Sequence, residues 1–300
     1  MRQQDDYYGK HTRRQQTRKK RRSGCLSRIL MFLVLLALLS YPFLEPLMLE
    51  TEVTSLTHAD LPDSIRQLRL VYLSDIHAGP YFSQDRVESL VRRVNALNAD
   101  IVLLGGDYAV DSEGAIEFFQ SAPRFQSRYG VFAVVGNHDR TVPETNLTRL
   151  RSAMRAAGVT PLVNEVVAVR IGMDDIYLVG IDDVNNGWPE LTKVASQIRQ
   201  EDYVIFLSHS PEIIPEAINA ADRNGRRQWF DLGLYGHTHG GQLAFLGQYL
   251  GISKVEERYE QGWLRENRTD MLVSRGVGTS ILPIRFLRRP QIHQITIKAD

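Results

Sequence analysis

LYGHTHGGQ (residues 234–242) sets two histidines two positions apart among glycines, at the end of an apolar run. On an extended chain residues i and i+2 face the same side, so His237 and His239 can aim both imidazoles at one point. Gly236, Gly240 and Gly241 let the chain turn sharply there and let another group approach the backbone. Taken alone, the pair reads equally as two surface histidines on a tight turn. How the other apolar runs end decides between the two readings.

Those runs are LRLVYLSD, DIVLLGGD, YGVFAVVGN, IYLVGIDD, YVIFLSH and LGLYGH. Each is short and rich in Val, Ile, Leu, Tyr and Phe, as buried strands are. Between them QDRVESLVRRVNALN, LTRLRSAMRAAG and LTKVASQIRQ carry apolar residues at helical spacing among charges. The alternation predicts an α/β protein. Directly after the runs stand Asp75 and His77, Asp107, Asn137 with His138 and Asp139, His209, and His237 with His239. Ligands of open α/β sheets bind in the crevice at the carboxyl ends of the strands. Five of the chain's eight histidines fall at these ends. The other three, His11, His58 and His293, read as ordinary surface or core residues.

Asp, Asn and His without thiolate favour Mn, Fe or Zn over a soft-metal site. Asp107 has two carboxylate oxygens and can bridge two ions. Two ions roughly 3.5–4 Å apart form a clamp for in-line displacement at phosphorus, and bound water becomes a nucleophile near neutral pH. The set therefore points to hydrolysis of phosphate esters.

The rest of the chain bounds this reading. The 300 residues are 43% hydrophobic, ample for a core. The net charge of +1 hides a split, because residues 1–28 hold ten Lys/Arg against two acids and residues 29–300 are net −7. A mildly acidic body argues against nucleic acid as a partner. Cys25, the only cysteine, rules out an intrachain disulfide and a Cys-based zinc site. The basic tail runs into ILMFLVLLALLSYPFL, uncharged from Ile29 to Leu44. Sixteen residues fall short of the roughly 20 that cross a bilayer, but Leu26 and the reach of Arg28 extend the span. The run reads as an uncleaved membrane anchor. A cleaved signal peptide shares its basic-then-apolar order but would need a clean small-x-small site, which LLSYPFLEP lacks. Beside such a run the basic tract suits anionic lipid. The polar, aperiodic stretch that follows reads as a stalk. The organisation expected is thus a basic cytoplasmic tail (1–28), anchor (29–44), stalk (45–66) and catalytic domain (67–300).

DIH, GGDY, GNHD, SHSP and GHTHGGQ, in that order, resemble the calcineurin-like metallophosphoesterase superfamily, in particular its bacterial membrane-associated branch of YkuE/YaeI type. The resemblance covers about residues 67–298. It implies a four-layer α/β/β/α sandwich with both ions at one edge of the paired sheets. It implies that Asp75, His77 and His239 hold one ion, that Asn137, His209 and His237 hold the other, and that Asp107 is shared. His138 matches the family's non-ligand histidine, placed to donate to the leaving-group oxygen or the phosphoryl group. Asp139 either orients that imidazole or caps a following helix.

Other features stay open at this level. RGVGTS (275–280) reads as a glycine turn lining the cleft, and Gln291 as a rim residue. Arg275 and Arg285 either grip a phosphate or lipid headgroup or lie on the surface. LAFLGQYLGI (243–252) either admits acyl chains or is core. The function expected is a membrane-anchored, dinuclear-metal phosphoesterase, most simply a phosphodiesterase. The alternatives are a pyrophosphatase of UDP-2,3-diacylglucosamine type and a non-catalytic metal-binding module. The substrate is then a phosphate ester, lipid-linked in the first alternative. The basic tail ahead of the anchor expects a single-pass inner-membrane protein with its domain outside the cytoplasm, the cytoplasmic face being the alternative.

Overall fold

A computed structural model of the chain describes residues 26–141, 144–244, 246 and 255–300. It divides into two units, residues 1–44 and residues 45–300. Most of the basic tail, Cys25 and most of LAFLGQYLGI lie outside the described residues.

Helix α1 (Leu26–Leu47) closes with a 3-10 turn at Glu45–Leu47 and is the one helix among the described residues long and apolar enough to cross a bilayer. The α-helical part before that turn, residues 26–44, spans about 28 Å at 1.5 Å each, against a hydrocarbon core of about 30 Å. The sixteen-residue run looked short because helical geometry continues past its uncharged part.

Within residues 45–300, one sheet pairs β1 (Glu50–Thr57), β12 (Gln291–Lys298), β2 (Gln67–Leu73), β3 (Ile101–Leu104), β4 (Val131–Ala133) and β5 (Val159–Pro161) in that order. The second orders β10 (Gly262–Glu266), β11 (Thr269–Val273), β9 (Leu232–Tyr235), β8 (Val204–Leu207), β7 (Asp174–Gly180) and β6 (Glu165–Ile171). Strands β2 to β5 run parallel, as do β7, β8, β9 and β11.

The side-chain alternation of the strands builds the layers. In β2, Leu68, Leu70 and Tyr72 face the second sheet, where they pack with Leu178, Ile205 and Leu234. Val71 and Leu73 face the other way, onto α2 (Gln84–Ala96), α3 (Ser112–Ser121) and α4 (Glu144–Ala156). The outer face of the second sheet, with Val179, Phe206 and Tyr235, is covered by α5 (Leu191–Ala195), α6 (Ile214–Asn219) and Trp229. Three buried cores between four layers make the α/β/β/α sandwich that was expected.

The stretch read as a stalk is a correction. Residues 50–57 form β1, paired in parallel with β12 along its whole length, and the compact unit begins at residue 45. ETEVTSLT is an edge strand whose residues are all part-exposed or exposed, so it lacks the apolar run that marks a buried strand.

Candidate metal centre

All five sequence motifs arrive at one edge of the sandwich, the carboxyl ends of β2, β3 and β4 in one sheet and of β8 and β9 in the other. The strands stop there because the next residues turn out of extended geometry. Asp75, His77, Asp107, His237 and His239 all have φ between +48° and +70°. Non-glycine residues held in this left-handed region cost of order 1–3 kcal/mol each, strain that the surrounding structure must hold. The turns are packed against the carboxylates they present. A β-carbon on Gly136 would overlap Asp107 Oδ1, and one on Gly236 would overlap the Asp75 carboxylate.

The side chains converge. Asp75, His77 and His239 bring ligand atoms within 4.8 Å of one another, as do Asp75, Asp107 and His209, and as do His77, Asp107 and His138. Asp107 Oδ2 lies 3.6 Å from His77 Nε2 and 3.2 Å from His209 Nε2, a position from which it faces both groups. Asn137 and His237 line the same cleft, of about 570 Å³, with His138 and Ile281.

Two buried atoms fit a cation, and a third would after a change of tautomer. His209 Nδ1 donates to the Gly105 carbonyl at 2.8 Å, which makes Nε2 the nitrogen that carries the lone pair when the ring is neutral. That nitrogen has no aligned hydrogen bond and faces the acceptor-only carboxylate of Asp107. Asn137 Oδ1 is likewise buried without a partner among the described residues. The third is His239 Nε2. Arg285 Nη2 can only donate, so His239 Nδ1 accepts from it at 3.2 Å and the ring's proton sits on Nε2, 3.1 Å from His77 Nε2. For His239 Nε2 to hold a divalent ion as a neutral imidazole, the ring proton would move to Nδ1 and the contact with Arg285 would be given up. Electrostatics agree: burial pushes His77 down to about 4 and His239 well below the usual range, so both rings are neutral, as ligands must be. His209 differs: burial opposes its charge, but the Asp107 carboxylate outweighs burial and raises the group well above its ordinary value. This ring would therefore take an ion only by giving up the proton it holds toward Asp107.

His138 is half-buried at the cleft, its Nδ1 donating to the Val110 carbonyl at 2.9 Å. Asp139 does not orient it, nor does it cap a helix. Its carboxylate is buried and accepts from the backbone N–H of Asp107 (2.7 Å), Gly136 (2.8 Å) and Tyr108 (3.1 Å). Burial, with the Asp107 charge adding to it, raises Asp139 to about 7. It is a positioning residue that ties the β3 and β4 end loops together. Arg285 is also a correction: it is fully buried and donates to the carbonyls of Gly278, Arg275 and Arg288 rather than gripping an anion. Arg275 pairs with Glu50 at 2.6 Å, and Gln291 donates to Glu52 at 2.6 Å away from the cleft rim. The RGVGTS turn lies beside Asp75, with Gly278 N donating to the Asp75 carbonyl at 2.6 Å, and Thr279 and Ser280 line the cleft.

Sequence reasoning passed over the acids of GIDD, although they stand at the end of β7 like the others. Asp182 forms a buried ion pair with Arg140 at 3.0 Å that joins the GNHDR turn to the second sheet. Asp183 accepts from Asn185 N and Asn186 N, and the Asn186 side chain then donates to the Asn137 carbonyl at 2.9 Å. His58 and His293 are core residues, bonded to Tyr203 with Asp270 and to Ser274.

Comparison with known proteins adds an independent observation. The family model described as calcineurin-like phosphoesterase matches residues 68–241. An uncharacterized metallophosphoesterase of Aquifex aeolicus is 31% identical over 86% of this chain and 95% of its own length. The uncharacterized metallophosphoesterase YkuE of Bacillus subtilis is 27% identical over 86% of this chain and 88% of its own. A transmembrane protein with metallophosphoesterase domain from Bos taurus is 29% identical over 80% of this chain and 55% of its own.

Proposed function

The chain belongs to the calcineurin-like phosphoesterase family and is a metal-dependent phosphoric ester hydrolase, and from that premise we propose that it is a membrane-anchored phosphodiesterase with a dinuclear centre. Asp75, His77 and His239 hold one ion, Asn137, His209 and His237 the other, and Asp107 is shared. The observation that carries this reading is the set of orphaned buried atoms, His209 Nε2 and Asn137 Oδ1, around a carboxylate that faces two imidazoles. Two bound divalent ions of the Mn, Fe or Zn class supply Lewis acidity and an activated water for displacement at phosphorus.

The chain's own residues do the rest. Val110 fixes the His138 ring by taking its Nδ1 proton in a hydrogen bond, so Nε2 is the atom left to hold a proton beside the leaving oxygen. The backbone N–H of His138 donates to Asp107 Oδ1 at 2.9 Å, which couples the placement of the proton donor to that of the shared ligand. The backbone N–H of His237 does the same for Asp75, at 3.0 Å. Helix α1 anchors the domain as a single pass, and the name of the bovine relative supports that placement.

The test is hydrolysis of an activated aryl phosphodiester by the full chain in detergent, stripped with chelator and reloaded with Mn, Fe or Zn. Turnover should vanish on stripping and return with about two ions per chain. Full activity at fewer than one ion per chain would overturn the dinuclear assignment.

A further inference from the structure

The wall of the cleft that carries Thr279, Ser280 and Ile281 continues into a loop, residues 279–289, whose exposed side chains, apart from Arg289, are apolar. Ile281, Leu282 and Leu287 are 71%, 39% and 50% exposed. Two of them are also strained, Ile281 at φ +61° and Leu287 at φ +55°. A β-branched residue in this region is an outlier, and a loop facing only water would be more stable with Asn or Gly at both positions.

The loop is held on a fixed frame. Gln242, fully buried, donates to the carbonyls of Ser280 and Leu282, both at 3.0 Å, and accepts from Ser280 N at 2.8 Å. The carbonyl contacts of buried Arg285 pin the segment from within. Rigid support of this kind keeps the apolar side chains on display, where a mobile loop would fold them inward.

Glu45 identifies what covers them. Its buried carboxylate accepts from Leu287 N at 2.7 Å and from Arg288 N at 2.5 Å. In the sequence Glu45 immediately follows the apolar run 29–44. The loop is therefore fastened to the first residue after the segment that enters the membrane. Leu47 and Met48, just beyond, are exposed too, at 63% and 38%. Arg289 is exposed and has no partner among the described residues, which suits an anionic headgroup.

We propose that loop 279–289 is an interfacial wall resting on the same bilayer that residues 29–44 enter, and that the ester admitted past Ile281 is a lipid of that bilayer. This deepens the phosphodiesterase reading and rests on it for the substrate.

The test uses the full chain in vesicles of phosphatidylglycerol and phosphatidylcholine. Leu287→Cys and Met173→Cys, each with Cys25→Ser, carry one environment-sensitive fluorophore. Met173 is 80% exposed in the turn between β6 and β7 and serves as the reference. The wall predicts a blue-shifted probe at 287, quenched by nitroxide lipids several-fold more than the probe at 173. Equal quenching at both sites overturns it. In the second arm Leu287→Asp, which the left-handed backbone tolerates, should leave turnover of a soluble aryl phosphodiester unchanged. It should cut turnover of a vesicle-embedded phosphodiester lipid by about tenfold. Equal effects on the two substrates overturn the lipid assignment. No metal-dependent turnover of either sinks the hydrolase reading instead, and the quenching result still judges the wall.

Discussion

The Asp139 carboxylate and the His138 imidazole leave the chain from adjacent residues in opposite directions, one into three backbone N–H groups and one toward the cleft. Asp139→Ala strands three buried donors, each worth about 1–3 kcal/mol when unsatisfied. It should lower stability by about 3 kcal/mol or more and loosen the metals, read by thermal unfolding and metal content. His138→Ala should melt like the parent and keep its metals, while kcat falls by roughly 10²–10⁴ if the ring is the proton donor. A parent-like kcat on a substrate with a poor leaving group would remove His138 from that role. The pair also shows what sequence can reveal of a site. Asp75, His77, Asp107 and the histidines were legible because a polar ligand type directly after an apolar run has one place to be. The partner of Asp139 was not, because adjacency in sequence says nothing of direction. Arg140 and Asp182 were invisible for a related reason, since an ion pair across 42 positions leaves no local pattern.

At the level of elements, the six strands read from apolar runs, β2, β3, β4, β7, β8 and β9, all lie inside the two sheets; those passed over are β11 and the four edges, β5, β6, β10 and, beside β12, β1. The loss of β1 has a consequence. A chain beginning at residue 45 keeps β1 and the Glu45 tie to Leu287 and should unfold cooperatively. One beginning at residue 58 exposes the unpaired edge of β12 and should aggregate or unfold several degrees lower, by light scattering and thermal melts. A second prediction concerns Asp231, just ahead of β9, whose carboxylate accepts from Val204 N of β8 at 2.7 Å. Burial raises it to about 7, with Arg268 and Arg226 only partly opposing. The folded state therefore holds this proton more tightly than the unfolded chain. Its contribution to stability is present below about pH 4 and is lost as pH rises toward 7, by up to about 1.4 kcal/mol per pH unit. Asp231→Asn keeps an acceptor for Val204 and should flatten that slope in denaturant melts between pH 4 and 7. An unchanged slope would place the titration elsewhere.

For the whole molecule, the question that joins charge, anchor and cleft is which side of the membrane the domain occupies. Ten Lys/Arg precede the apolar run, while EPLMLETE after it holds three glutamates and no base. Positive residues flanking a membrane segment stay in the cytoplasm, so residues 45–300 should lie outside it. The length of α1, with the reach of Arg28 at its start, allows a full crossing as well as an interfacial helix. The domain has no cysteine, so neither compartment's redox state bears on its fold. Fusions at the C-terminus test the orientation: alkaline phosphatase should be active and a cytoplasm-dependent fluorescent protein dark. The reverse pattern would put the domain inside and, with it, the wall at 279–289 against the inner leaflet. Because Glu45 ties that wall to the end of the anchor, orientation also selects the leaflet from which an ester can enter, so a vesicle-embedded substrate confined to one leaflet should be cleaved only when that leaflet faces the domain.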